Sequence, residues 1–175
     1  MTGKDFSDVG RVAAIDFLYE GTPYKVDEGC WFETASKAYV SNKTKVFLEG
    51  MDFDLMYFPL MHLGYKVVTA VTGELYAEMS HPRTLDVKLG ISSKLRLDQI
   101  KDLWTGMVSA AKEHGYSKVG LDLVPSKNGL TIALSASGET SVKIVRPAPE
   151  SKDLICLSGS VGGAYFGQQI LEREK

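Results

Sequence analysis

The chain has 175 residues, 44% of them hydrophobic and 24% charged, enough for one domain with its own core and a small appendage. Twenty Lys+Arg against 22 Asp+Glu leave a formal charge of −2, which excludes the basic footprint of a nucleic-acid or anionic-membrane binder. The two cysteines, Cys30 and Cys156, stand outside any CxxC or Cys/His pattern, arguing against zinc; with no N-terminal apolar h-region and no membrane-length apolar run, a reduced, cytoplasmic home is expected.

Val9–Tyr19 is apolar at mixed spacing and is expected as a short helix. Gly21–Phe32 carries Gly, Pro, Asp and Glu and is expected as a loop. Lys37–Val40 and Lys45–Leu48 flank Ser41–Thr44, which contains Asn42, and together they predict a hairpin. Pro59 opens a long helix, because Leu60, Leu63, Val67, Val71, Leu75 and Met79 recur at three- and four-residue spacing. Pro82 marks its exit. Leu85, Val87, Leu89 and Ile91 alternate with polar residues or Gly as in a half-buried strand.

A second amphipathic helix is predicted over Leu97–His114, stopped by Gly115. Lys118–Val124 and Leu130–Ser137 are strand-like, and Pro125–Gly129 between them, with its Asn-Gly dipeptide, predicts a hairpin connection. Val142–Val145 is expected to extend the sheet. The two prolines of Arg146–Lys152 exclude helix and central strand there. Leu154–Leu157 predicts a short buried strand, Gly159–Gly163 a turn and Ala164–Glu174 a final helix. Strand pairs alternating with two long helices imply an α+β fold: a mainly antiparallel sheet with helices on one face. The other sheet face, if apolar, needs a cover from another domain or chain.

Four segments carry chemically capable residues. Leu48–Asp54 holds Glu49, Asp52 and Asp54 within six residues, enough oxygen for a hard cation, or else a solvated acidic turn. Ser158–Ala164 is a glycine-rich turn entering a helix, a place where backbone N–H groups hold phosphate or where glycine serves a tight turn. Asp122 sits at a strand end, as a ligand or an outward-facing residue. Glu74 lies within the long helix. His62, His81 and His114 form no catalytic constellation by spacing, and His114 suits a helix C-terminus as a cation.

Taken in order, Glu49-Gly50-x-x-Phe53-Asp54, His62-Leu63-Gly64-Tyr65-Lys66, Pro82-Arg83, Val119-Gly120-x-Asp122 and Ser158-Gly159-x-Val161-Gly162 form a recognisable set. The set resembles the N-terminal domain of thiamine-monophosphate kinase, within the wider family related to aminoimidazole-ribonucleotide synthetase. It covers Val40 to the C-terminus, giving a divergent segment 1–36 and a kinase-like domain 37–175. The resemblance implies a two-domain, ATP- and Mg²⁺-dependent phosphotransferase of thiamine biosynthesis. It also implies N-terminal domains that pair through their sheets into a dimeric barrel, aspartates that hold phosphates through Mg²⁺, and a C-terminal domain that completes the site. Carried over residue by residue, phosphate contacts fall on Lys45, Glu49, Gly50, Asp54 and Gly120, and metal ligands on Glu74 and Asp122.

The departures from that pattern cluster on the metal ligands. The family's Gly-Asp-Asp-Ala-Ala loop falls on Gly29-Cys30-Trp31-Phe32-Glu33, with neither Asp. Its Thr-Asp pair is Thr44-Lys45, a cation in place of a ligand. Its Asn-x-Ser-Asp is Val71-Thr72-Gly73-Glu74, and its Gly-Gly-Asp-Thr-Thr is Gly120-Leu121-Asp122-Leu123-Val124. Its Ser-Gly-Ala stretch after Arg146 has become Pro147-Ala148-Pro149, and the sequence stops where the second domain is expected. Unit charges 4 Å apart repel by about 4 kcal/mol at an effective dielectric near 20, so Lys45 opposes a metal there while remaining able to contact a phosphate. The expectation is therefore a non-catalytic homologue: a homodimeric binding or regulatory module with no cofactor, no catalytic residue and at most a nucleotide or small phosphorylated ligand. The alternative is the ATP/Mg-binding domain of such a phosphotransferase, completed by a partner chain or a further domain.

Overall fold

The computed structural model describes residues 5–24, 39–141 and 150–173. The chain divides into two compact units, Met1–Lys143 and Ile144–Lys175. In the first unit, helices α1 (Phe6–Val9) and α2 (Arg11–Tyr19) precede β1 (Tyr39–Leu48), α3 (Leu60–Tyr76), β2 (His81–Ser92), α4 (Leu97–Glu113), β3 (Lys118–Ser126) and β4 (Thr131–Thr140). The expected boundary between residues 36 and 37 and the expected strand Val142–Val145 lie outside the described residues.

The four strands form one mixed sheet in the order β1–β4–β2–β3. β4 pairs antiparallel with both β1 and β2, whereas β2 and β3 run parallel. The parallel pair follows from α4: a strand–helix–strand crossover returns the chain in the same direction. α3 packs against β1, β4 and β2 and lies along α4. Leu63, Val67, Val71 and Leu75 of α3, Leu97, Ile100, Leu103, Trp104 and Met107 of α4, and Leu85, Val87, Leu89, Ile132, Leu134 and Ala136 of the sheet fill one core. β2 is central, with strands on both sides, and is more buried than a half-exposed strand: even Thr84 and Ser92 are covered.

Four sequence expectations are corrected. The hairpin around Ser41–Thr44 is one continuous ten-residue strand, because those residues pair without interruption with Ser135–Gly138 of β4. Asn42 has no positive φ, and its side chain instead accepts a hydrogen bond from the Ser137 hydroxyl. Pro125–Gly129 is not a hairpin, since β2 lies between β3 and β4. Pro125 is tolerated because β3 is an edge strand with a ladder on one side only. Pro82 lies inside β2, at the register shift between Pro82 and Thr84, and α3 ends earlier, at Tyr76.

The fourth correction falls in the second unit. Leu154–Leu157 forms no strand and is exposed, with Ile155 fully so. No other strand is described in this unit, so its backbone has no ladder to join. Helix α5 (Gly163–Arg173) follows the glycine-rich turn as expected, with Gly159 and Gly162 at positive φ.

Candidate functional site

The Leu48–Asp54 turn is closed by its own acids. Leu48 N–H donates to Asp52 Oδ2 at 2.8 Å, and Met56 N–H donates to Asp54 Oδ1 at 2.8 Å. Gly50 N–H donates to the Phe53 carbonyl at 2.8 Å while the Phe53 ring is buried. Glu49 reaches across to the loop before β4, where Leu130 N–H donates to its Oε2 at 2.6 Å. Gly129 there has φ +94, a backbone conformation that favours glycine, and a Cβ would lie 2.7 Å from that same oxygen. Three carboxylates within six residues are thus each engaged by a backbone N–H.

Lys45 and Glu74 do come together. Lys45 lies on the helix-facing side of β1, opposite Leu134, and its Nζ stands 2.7 Å from Glu74 Oε1 on α3. Two residues away, Lys43 Nζ meets Glu78 Oε1 at 2.5 Å, and Ser80 Oγ donates to Ser41 Oγ at 2.9 Å. The three contacts form a polar seam along which the end of α3 and its exit run antiparallel to β1. Lys43, Glu78 and the seam were not anticipated from the sequence; the available signal was Lys at i, i+2 on one face of a strand, with Glu74 near a helix end and Glu78 just past it.

Gly120 and Asp122 lie on β3, the opposite edge of the sheet from β1. Gly120 pairs with Asp86. Asp122 Oδ1 accepts from Arg11 at the start of α2, and Lys88 Nζ of β2 stands 3.7 Å from its Oδ2. The predicted residues therefore fall into three places rather than one: the Glu49–Asp54 turn, the Lys45–Glu74 pair, and Asp122 with its two cations. Among the described residues, no three of His, Cys, Asp and Glu are grouped so as to hold a metal ion. The charges fit a magnesium–polyphosphate site poorly, because each nominated metal ligand is already neutralised by a Lys or Arg.

His114 ends α4 as its C-cap, with Nδ1 3.1 Å from the Tyr76 hydroxyl, so it serves that helix end. Cys156 is exposed and unbridged. Among the described residues, no helix is long and apolar enough to cross a membrane.

The mixed α+β domain is the one found in solved thiamine-monophosphate kinases and in the hydrogenase maturation protein HypE, the aminoimidazole-ribonucleotide-synthetase-like class. AaThiL complexed with AMPPCP and TMP superposes over 100% of this chain and 56% of its own, with a TM-score of 0.71 and 20% identity. HypE in complex with ATP superposes over 77% of this chain and 43% of its own, with a TM-score of 0.53 and 18% identity. In sequence the chain is similar to part of thiamine-monophosphate kinase. The enzyme of Bacillus subtilis is 25% identical over 129 residues, 73% of this chain and 40% of its own length. That of Aquifex aeolicus is 24% identical over 172 residues, 96% of this chain and 55% of its own. The chain thus spans roughly half or less of the curated relatives it matches. No family model matches it.

Proposed function

We propose that this protein is a non-catalytic relative of thiamine-monophosphate kinase that works as a dimeric binding or regulatory module. The observation that carries the reading is the Lys45–Glu74 pair at 2.7 Å. It places an ammonium where the related enzymes' pattern calls for a metal-binding carboxylate, and it consumes the neighbouring acid. A dication brought to the same place would displace a formed ion pair and meet a like charge, at a cost of about 4 kcal/mol per unit charge at 4 Å. Phosphoryl transfer depends on neutralising and positioning the polyphosphate, and this charge pattern works against both.

Dimerisation is proposed through the sheet face turned away from α3 and α4. Val40, Val46 and Leu48 of β1 and Val124 of β3 are exposed there, among Thr44, Ser135 and Ala133. Exposed apolar side chains on a sheet face favour association with a second layer.

A second reading has its own support: two structural neighbours were solved with nucleotides, AaThiL with AMPPCP and HypE with ATP. Under it, the chain supplies an ATP·Mg²⁺-binding half to a phosphotransferase completed elsewhere, with Lys45, Glu49, Gly50, Asp54 and Gly120 toward phosphate and Glu74 and Asp122 toward metal. Calorimetric titration with ATP and Mg²⁺ separates the two. The first reading expects no magnesium-dependent heat; micromolar binding abolished by Asp122→Asn would replace it with the second.

A further inference from the structure

We infer that Arg11 and Lys88 take at Asp122 the place of a metal ion, and that this internal pairing latches the N-terminal helix α2 onto the edge of the sheet. Both carboxylate oxygens are addressed, and by different elements: Oδ1 accepts from Arg11 of α2, and Oδ2 faces Lys88 of β2 at 3.7 Å. Two cations around one carboxylate leave a local charge of +1, which disfavours a further dication.

The position of Arg11 supports a specific role. It is the first residue of α2, where the helix dipole favours anions and where this helix has no acidic residue. A guanidinium there opposes the dipole unless a partner outside the helix compensates it, and Asp122 is that partner. The other end of α2 is held separately. Lys101 Nζ of α4 donates to the carbonyls of Phe17, Leu18 and Glu20 at 2.9, 3.0 and 3.1 Å, satisfying the groups a helix C-terminus leaves unpaired. Tyr19 Oη donates to the Val119 carbonyl of β3 at 3.0 Å, and Ala14 and Leu18 are fully buried. Burial of Ala14 and Leu18 and hydrogen bonds from Lys101 and Tyr19 thus anchor the body and C-terminus of α2, whereas its first residue is held by the Asp122 cluster, which makes the docking of that end sensitive to salt and indifferent to metal.

These contacts are separate from the Lys45–Glu74 pair and involve no turnover, so this inference and the proposed function are tested independently. The test is amide hydrogen exchange on the full chain, with Mn²⁺ as a paramagnetic probe. Asp122→Asn and Arg11→Met should each speed exchange across α2 about two- to fivefold, the range of an exposed ion pair, and leave α4 unchanged. High salt should reproduce the effect in the unmodified protein. Millimolar Mn²⁺ should leave the Val119–Val124 signals unbroadened. Broadening centred on Asp122, or α2 exchange unaltered in both variants, would overturn the latch.

Discussion

Lys43 and Lys45 stand two residues apart on β1, about 6.6 Å along a strand, while Glu74 lies in the last turn of α3 and Glu78 in the turn that follows it. The helix and its exit thus run past β1 so that two ion pairs form along one strand. Both pairs are partly exposed, so Lys45→Ala is expected to cost no more than about 1 kcal/mol in urea denaturation at low ionic strength, and less in high salt. A cost independent of salt would show that Lys45 acts otherwise. The sign of Lys45 was legible in the sequence, as a cation standing where its relatives' pattern has an acid. Its partner was not, because a contact between strand and helix is set by how the two elements pack. The same holds for Arg11, which lies outside the motifs that carry the resemblance and joins Asp122 across 111 positions of sequence.

Tyr116 gives a second test at this scale. Its ring is buried and its hydroxyl lies 2.9 Å from Thr72 Oγ1, and burial pushes the phenol up to about 12 from 10.0. The folded state holds this proton more tightly than the unfolded state does. Its contribution is therefore fully present below pH 10 and is lost as the pH rises toward 12, by roughly 2–3 kcal/mol in all. Tyr116→Phe should flatten that alkaline loss of stability in denaturation followed against pH, and an unchanged slope would assign the loss elsewhere.

At the scale of elements, the contact between α3 and α4 turns on two glycines that helix propensity alone would disfavour. A Cβ on Gly64 would lie 2.0 Å from the Leu103 carbonyl oxygen, and one on Gly106 would lie 1.9 Å from that of Met61. Each helix therefore presses its backbone against the other at a position that admits no side chain. Gly64→Ala or Gly106→Ala should destabilise by about 1–3 kcal/mol or more through overpacking, read as a fall in the thermal midpoint, although Ala is the better helix former. An increase in stability would contradict this packing. The helices themselves were legible, since a three-to-four-residue apolar period over four turns has few other readings. The strand order was not. Asn-Gly between two strands suggests a hairpin, but β4 satisfies more backbone groups between β1 and β2 than it would beside β3 alone. Ser41–Thr44 likewise has turn-prone residues, and the ladder to β4 overrides them.

At the scale of the whole molecule, the reading proposed above is of a fold kept for association rather than chemistry, and both halves of it are open to measurement. Light scattering at micromolar concentration should return twice the 19.2 kDa chain mass, and Val46→Glu, exposed on edge strand β1 of the open sheet face, should return the monomer. A monomer without substitution would remove the dimeric part of the reading. The most direct test of its central claim is turnover: ATP consumption in the presence of thiamine monophosphate and Mg²⁺, compared between the unmodified protein and Asp122→Asn. The expected result is no turnover above background in either protein. Sustained turnover that Asp122→Asn abolishes would make this chain a working phosphotransferase and contradict the reading.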